Sequence, residues 1–155
     1  MKSTLLLLAL ATIPLWAQTA ATPSGQKLSK PGVPFLTWYG PETYNGATQI
    51  WSIAEDTRGV IYVGHQGVLE YDGTTFRNIP TPHNSSARSL VLGPQGRIYV
   101  GETGDFGYLQ PDSNGKMHYQ SLVPFVPKEE HEFQNIADIH IAGEGIYFRA
   151  RERLF

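Results

Sequence analysis

A sixteen-residue stretch, QIWSIAEDTRGVIYVG (residues 49–64), returns without a gap as SARSLVLGPQGRIYVG (residues 86–101), 37 positions further on. Ile53 falls on Leu90, Gly59 on Gly96, and IYVG on IYVG. A third copy, NIADIHIAGEGIYFR (residues 135–149), fits with one residue removed from the turn. There Ile136, Ile139 and Ile146-Tyr147-Phe148 take the places of Ile50, Ile53 and Ile61-Tyr62-Val63. A period of roughly 20–50 residues means that each copy is one supersecondary unit, which cannot bury its apolar face alone and must stack on its neighbours.

Each copy resolves into short strands. Residues 50–55 alternate apolar and polar side chains, DTRG supplies a turn, and residues 60–63 form an apolar run of the kind buried on both faces. Residues 68–71 and 75–79 follow, joined through Asp72-Gly73, a pair that predicts a type I′ hairpin turn. The second copy is longer in two places. GETGDFG (residues 101–107) replaces GHQG (residues 64–67), and PDSNGK (residues 111–116) turns the last hairpin between strands at 107–110 and 117–122. Residues 123–133 form a polar, proline-containing connection to the third copy. No apolar stripe at i, i+3, i+4 is long enough for a repeated helix, and glycine recurs in every turn. The expected fold class is therefore all-β, with β-propeller blades of four antiparallel strands. Leu154 falls where Leu69 sits, which gives about two and a half blades, whereas a closed ring takes roughly 4–8. An incomplete propeller, the N-terminal part of a longer protein, is the expectation for residues 35–155.

The N-terminus is a separate object. Residues 1–21 carry Lys2, an apolar run from Leu5 to Trp16 and then small residues, the order of a secretory signal peptide. The run is shorter than the roughly 20 residues that span a bilayer. Cleavage is expected between Ala17 and Ala21, so the mature chain is expected to be exported. Residues 22–34 read as a polar Pro/Gly/Ser linker. Charged residues make up 17% of the chain and its net charge is −2, with no basic stripe that would predict contact with nucleic acid. The absence of cysteine excludes disulfides, zinc–thiolate sites, a cysteine nucleophile and a lipidated cysteine.

With the repeat in place, a family resemblance follows. Residues 34–155 resemble the N-terminal part of the two-component-regulator propeller sensors of bacterial signalling proteins. The matching elements are Trp51, Ile53, Asp56, Gly59, Ile61, Tyr62 and Gly64 in order, GVLEYDG (67–73), RSL with GRIYVG (88–90, 96–101), FGYL (106–109), YQSL (119–122), and GIYF followed by RERLF. The resemblance implies a periplasmic β-propeller followed by an immunoglobulin-like domain with a triple-tyrosine signature, one transmembrane helix and a cytoplasmic output, most often a histidine kinase. It also implies a receptor that works as a homodimer and an extracellular or periplasmic ligand, with an oligosaccharide as one candidate. Two other readings stay open: a secreted propeller enzyme acting on glycans, and a non-catalytic adhesion or scaffold propeller.

The chemistry-bearing residues read mostly as scaffold. Glu70 and Asp72 point to one face of a strand, as a glycosidase pair would, but Asp72 is accounted for by its turn. The second copy has Gln110 and Pro111 at the places of Glu70 and Tyr71. His65, His83, His118, His131 and His140 form no metal-ligand spacing, and DSNG (112–115) lacks the closing Glu of a calcium loop. No catalytic residue, metal or cofactor is expected in these residues. The candidate ligand-facing positions are His65, Gln66, Glu102 and Thr103, which begin the loops between second and third strands and so share one face of a ring. Trp38 and Tyr39, outside the repeat, read as a strand that helps close that ring.

Overall fold

The alternation of apolar side chains produces two four-stranded sheets and a hairpin. In the computed structural model, which describes residues 35–155, the first sheet holds β1 (Ser52–Glu55), β2 (Ile61–His65), β3 (Gly67–Tyr71) and β4 (Phe76–Ile79), hydrogen-bonded in that order. The second holds β5 (Ser89–Leu92), β6 (Ile98–Gly101), β7 (Phe106–Pro111) and β8 (Met117–Ser121), again in sequence order. The third copy forms a hairpin of β9 (Asp138–Ala142) and β10 (Gly145–Arg149). Every ladder between these strands is antiparallel, and the all-β expectation holds. The register repeats as well: Ser52 faces Gly64, Ser89 faces Gly101, and Asp138 faces Arg149. The signal peptide (1–21) and linker (22–34) expected from the sequence lie outside the described residues.

Period-two alternation decides which neighbour each sheet meets. In β6, Ile98 and Val100 pack with Leu109 and Met117 against Tyr62, Val68 and Ile79 of the first sheet. Tyr99, pointing the other way, joins Phe106 in packing on Ile136, Ile139 and Phe148. The second sheet is thus sandwiched, and β5 lies against both β1 and β9. On the far face of the first sheet, Val63 and Leu69 pack against Tyr44 of a one-turn helix, α1 (Pro41–Tyr44). Each fully buried aliphatic side chain here contributes about 1.5–3 kcal/mol relative to exposure.

Three aspartates organise the turns by accepting their own backbone amides, a short-range capping that Asp favours. Asp56 Oδ1 accepts from Arg58 N and Val60 N at 2.8 and 3.1 Å. Asp112 Oδ1 accepts from Asn114 N and Lys116 N at 2.8 and 2.9 Å, a plain polar turn. Asp72 Oδ1 accepts from Thr74 N and Thr75 N, both at 2.8 Å. This corrects the type I′ expectation: Tyr71 pairs with Phe76, the loop runs through residues 72–75, and within it only Gly73 takes a positive φ, of 94°. The carboxylate replaces the backbone bonds that a tighter turn would make.

Residues 35–40 hold no strand, so Trp38 and Tyr39 do not extend a sheet. Tyr39 is held by its ring instead, 5.4 Å from Tyr71 and 5.3 Å from Phe76, with its hydroxyl 2.9 Å from that of Tyr71.

Asp56 carries the largest share of a turn. Its Oδ2 also meets Arg58 Nε and Nη2 at 2.9 and 2.7 Å and accepts from the buried Tyr62 hydroxyl at 3.3 Å. Burial raises its carboxyl pKa, but the bonds from Arg58 and Val60 outweigh that and hold it below the usual carboxylate range. Asp56→Asn is expected to cost about 1–2 kcal/mol. The difference is present above the ordinary carboxylate range and shrinks as pH falls below it. Urea denaturation of both proteins at neutral and acid pH reads this out; equal stabilities at neutral pH would refute it.

Candidate functional site

The loop after the second strand of each sheet meets the incoming chain of the next copy, and the geometry is the same twice. Ala87 N donates to His65 O at 2.8 Å, and Gly67 N to Ser85 O at 2.8 Å, with Gln66 bridged to Ser86. One copy later Ile136 N donates to Glu102 O at 2.8 Å, and Gly104 N to Gln134 O at 3.0 Å, with Thr103 bridged to Asn135. The glycine that ends IYVG makes this approach possible. A Cβ on Gly64 would run into the Ala87 carbonyl oxygen, and one on Gly101 into Ser89 and Ile136.

His65, Gln66, Glu102 and Thr103 therefore occupy equivalent positions, but the joint splits them. Gln66 and Thr103 are exposed, whereas His65 is only 3% and Glu102 0% exposed. The Thr103 hydroxyl is engaged, donating to Asn135 Oδ1 at 2.6 Å. The two buried side chains face different surroundings.

His65 and Gln66 line a cavity of about 380 Å³ whose remaining wall is Asn45, Gly46, Ala47, Asn78 and Asn84. No carboxylate, lysine or arginine is among these lining residues. Both ring nitrogens of His65 are buried and neither finds a hydrogen-bond partner among the described residues. Burial pushes its pKa below the usual histidine value, so the ring is neutral at neutral pH, with one donor and one acceptor. A buried polar atom without a partner costs about 1–3 kcal/mol, so this imidazole carries an unmet hydrogen-bonding demand. Asn45 and Asn84 both sit in the left-handed region, at φ 48° and 45°, a conformation that asparagine tolerates better than most residues. Sequence reasoning found His65 and Gln66 but missed the three asparagines. Turn chemistry marks only Asn45 and Asn84, Asn78 lies within β4, and the three sit on separate segments.

Glu102 is not among the residues lining that cavity. Its Oε2 accepts from Ser85 Oγ at 2.9 Å, while Oε1 and the buried Thr81 hydroxyl oxygen have no partner among the described residues. Burial raises its pKa to about 7; the nearby Thr81 and Ser85 hydroxyls oppose this and the charge of Asp105 adds to it. Asp105, 4% exposed, accepts from the Tyr119 hydroxyl at 2.9 Å and from Ser121 Oγ at 2.8 Å. Burial, with the neighbouring carboxylates, pushes the Tyr119 phenol well above its usual range.

The remaining titratable groups read as scaffold. Glu70 forms an ion pair with Arg77 across β3 and β4, and Asp72 accepts from the amides of its own turn. His118 lies 3.1 Å from Asp112, His140 2.9 Å from Asp138, and His131 Nε2 2.9 Å from Val126 O. Among the described residues no group of three or more His, Asp or Glu is placed to hold a metal ion. No helix among them is long and apolar enough to cross a membrane. Compared with protein-family models, curated proteins and solved structures, the chain gives no match.

Proposed function

We propose that this chain is the N-terminal part of an extracytoplasmic β-propeller sensor, in which each four-stranded sheet is one blade, and that it binds a ligand without turning it over. The repeated register supports the blade reading, as do sheets packed face to face with β5 against β1 and β9. A propeller needs that adjacency of first strands. By its resemblance to the two-component-regulator propellers, the whole protein is a homodimeric receptor with an output domain, a histidine kinase in the favoured case, beyond a transmembrane helix. Signalling then requires two receptor states that the ligand distinguishes by a few kcal/mol.

One observation carries the ligand reading: the buried, neutral His65, whose two ring nitrogens find no partner among the described residues, is part of the wall of a cavity otherwise lined by amides and small residues. Amides and a neutral imidazole donate and accept in equal measure, which suits hydroxyl-rich neutral molecules such as oligosaccharides. The test is calorimetric titration of the chain with neutral di- to tetrasaccharides of glucose, xylose and mannose, with product analysis alongside. At least one is expected to bind unchanged, and His65→Ala or Asn78→Ala is expected to weaken it about tenfold, the value of one lost hydrogen bond. Absence of binding across the panel, or affinity indifferent to both substitutions, would remove the reading. Cleavage of the sugar would favour an enzyme.

A further inference from the structure

The segment 81–86, which joins β4 to β5, touches two buried groups at once. Asn84 lines the amide cavity beside His65. The next residue, Ser85, donates its hydroxyl to Glu102 Oε2 at 2.9 Å. The Ser85 carbonyl accepts from Gly67 N, Ser86 bridges to Gln66, and Ala87 N is bound to His65 O. Segment 81–86 is therefore bonded to residues on both sides of the cavity. At the other end of the same segment, Thr81 is 7% exposed, and its hydroxyl oxygen and Glu102 Oε1 both lack a partner among the described residues.

We propose that Glu102 is a proton-operated latch on the ligand cavity: gain or loss of its proton resets segment 81–86 and, through Asn84, the shape of the cavity beside His65. The inference rests on that cavity being the ligand site proposed above.

The chemistry of the seam gives the latch its two positions. A neutral carboxyl accepts from Ser85 through one oxygen and has a proton to donate to the Thr81 hydroxyl from the other, whereas an ionised one can only accept from both hydroxyls, so ionisation reverses the polarity of the Thr81 contact. An ionised carboxylate accepts only, and its charge sits in a seam that offers no cation. Three other titratable groups face this seam. Asp105, on the same turn, adds repulsion. Tyr119, on β8, has its hydroxyl engaged by Asp105. His83, on segment 81–86, reaches Asp105 rather than Glu102, with 3.9 Å between Nε2 and Oδ2. No lysine or arginine among the described residues is paired with Glu102. Ionisation is relieved when the segment carrying Ser85 and Thr81 moves and admits water.

The experiment is a pH titration of the full chain by NMR, from about pH 5 to about pH 9, a span that brackets a carboxyl shifted to near neutrality. It follows the Glu102 side-chain carboxyl carbon, the Asn84 side-chain amide and the Gly67 backbone amide. In the native protein all three are expected to share one midpoint near 7. Glu102→Gln is expected to silence Asn84 and Gly67. Ser85→Ala is expected to leave the carboxyl titrating while Asn84 falls silent, and this variant keeps the test available if Glu102→Gln folds poorly. His83→Gln is expected to change none of the three. Asn84 shifts that persist without Glu102, that follow His83, or that survive Ser85→Ala would overturn the latch, as would a flat Asn84 beside a titrating Glu102. No ligand enters the readout. If no oligosaccharide binds, the sensor reading fails while a titrating Asn84 still supports the coupling; a silent Asn84 in a protein that binds sugar removes the latch alone.

Discussion

Glu102→Gln removes a pH dependence of stability worth about 3 kcal/mol. The size follows from the carboxyl pKa, about 7 in the fold against an ordinary value of 4.5, at about 1.4 kcal/mol per pH unit. The unfolded chain loses this proton first. The stabilising contribution is therefore complete below the ordinary value, falls as pH rises towards 7, and is gone above it. His65 works in the opposite direction, because burial lowers its pKa and its folded form resists protonation. Its contribution rises as pH approaches the ordinary histidine value, so the native curve alone blends the two. The difference between native and Glu102→Gln proteins cancels His65 and isolates the carboxyl. Urea midpoints at about pH 4.5, 6 and 7.5 measure it. A difference that stays constant across that range would show that Glu102 ionises as it does in the unfolded chain.

The two sheets were legible because their cause is local. Alternation in residues 50–55, the apolar run at 60–63 and turn glycines such as Gly59 and Gly96 each fix a strand or its end without help from distant residues. The repeat then carried the assignment from one copy to the next. What failed or stayed hidden depended on contacts between copies. Asp72-Gly73 carries the composition of a tight turn, but the carboxylate takes the amides of Thr74 and Thr75 and a longer loop results. Trp38 and Tyr39 look like a strand by composition, yet Tyr39 is placed by the rings of Tyr71 and Phe76. His65 and Glu102 stand at loop starts, where polar residues usually meet water, but the chain of the following copy crosses over both, and residues 44–47 add to the cover of His65. The asparagines at 45, 78 and 84 converge through tertiary folding alone, with no spacing to announce them.

The glycines at 64 and 101 give the sharpest test of that crossing. Alanine at either position is expected to destabilise the protein by about 1–3 kcal/mol, the usual cost of forcing a methyl group into a packed interior. Neither residue takes a left-handed φ, so backbone strain does not enter, and the whole effect comes from what the new Cβ meets. The two sites differ in how they can yield. At Gly64 the obstacles are the Ser52 hydroxyl and the Ala87 carbonyl, the latter part of the backbone that bonds to His65, so the chain itself must shift. At Gly101 the obstacles are the side chains of Ser89 and Ile136, and Ile136 is fully buried. Gly64→Ala is therefore expected to be the more damaging, and to expose the Ala87 and Gly67 amides to hydrogen exchange as the joint opens. Gly73 serves as the contrast. It is left-handed at φ 94° with nothing near its Cβ position, so alanine there costs strain of about 1 kcal/mol and leaves Ala87 protected. If Gly64→Ala and Gly73→Ala melt alike and Ala87 exchanges at the native rate in both, the glycine is not what lets successive copies meet.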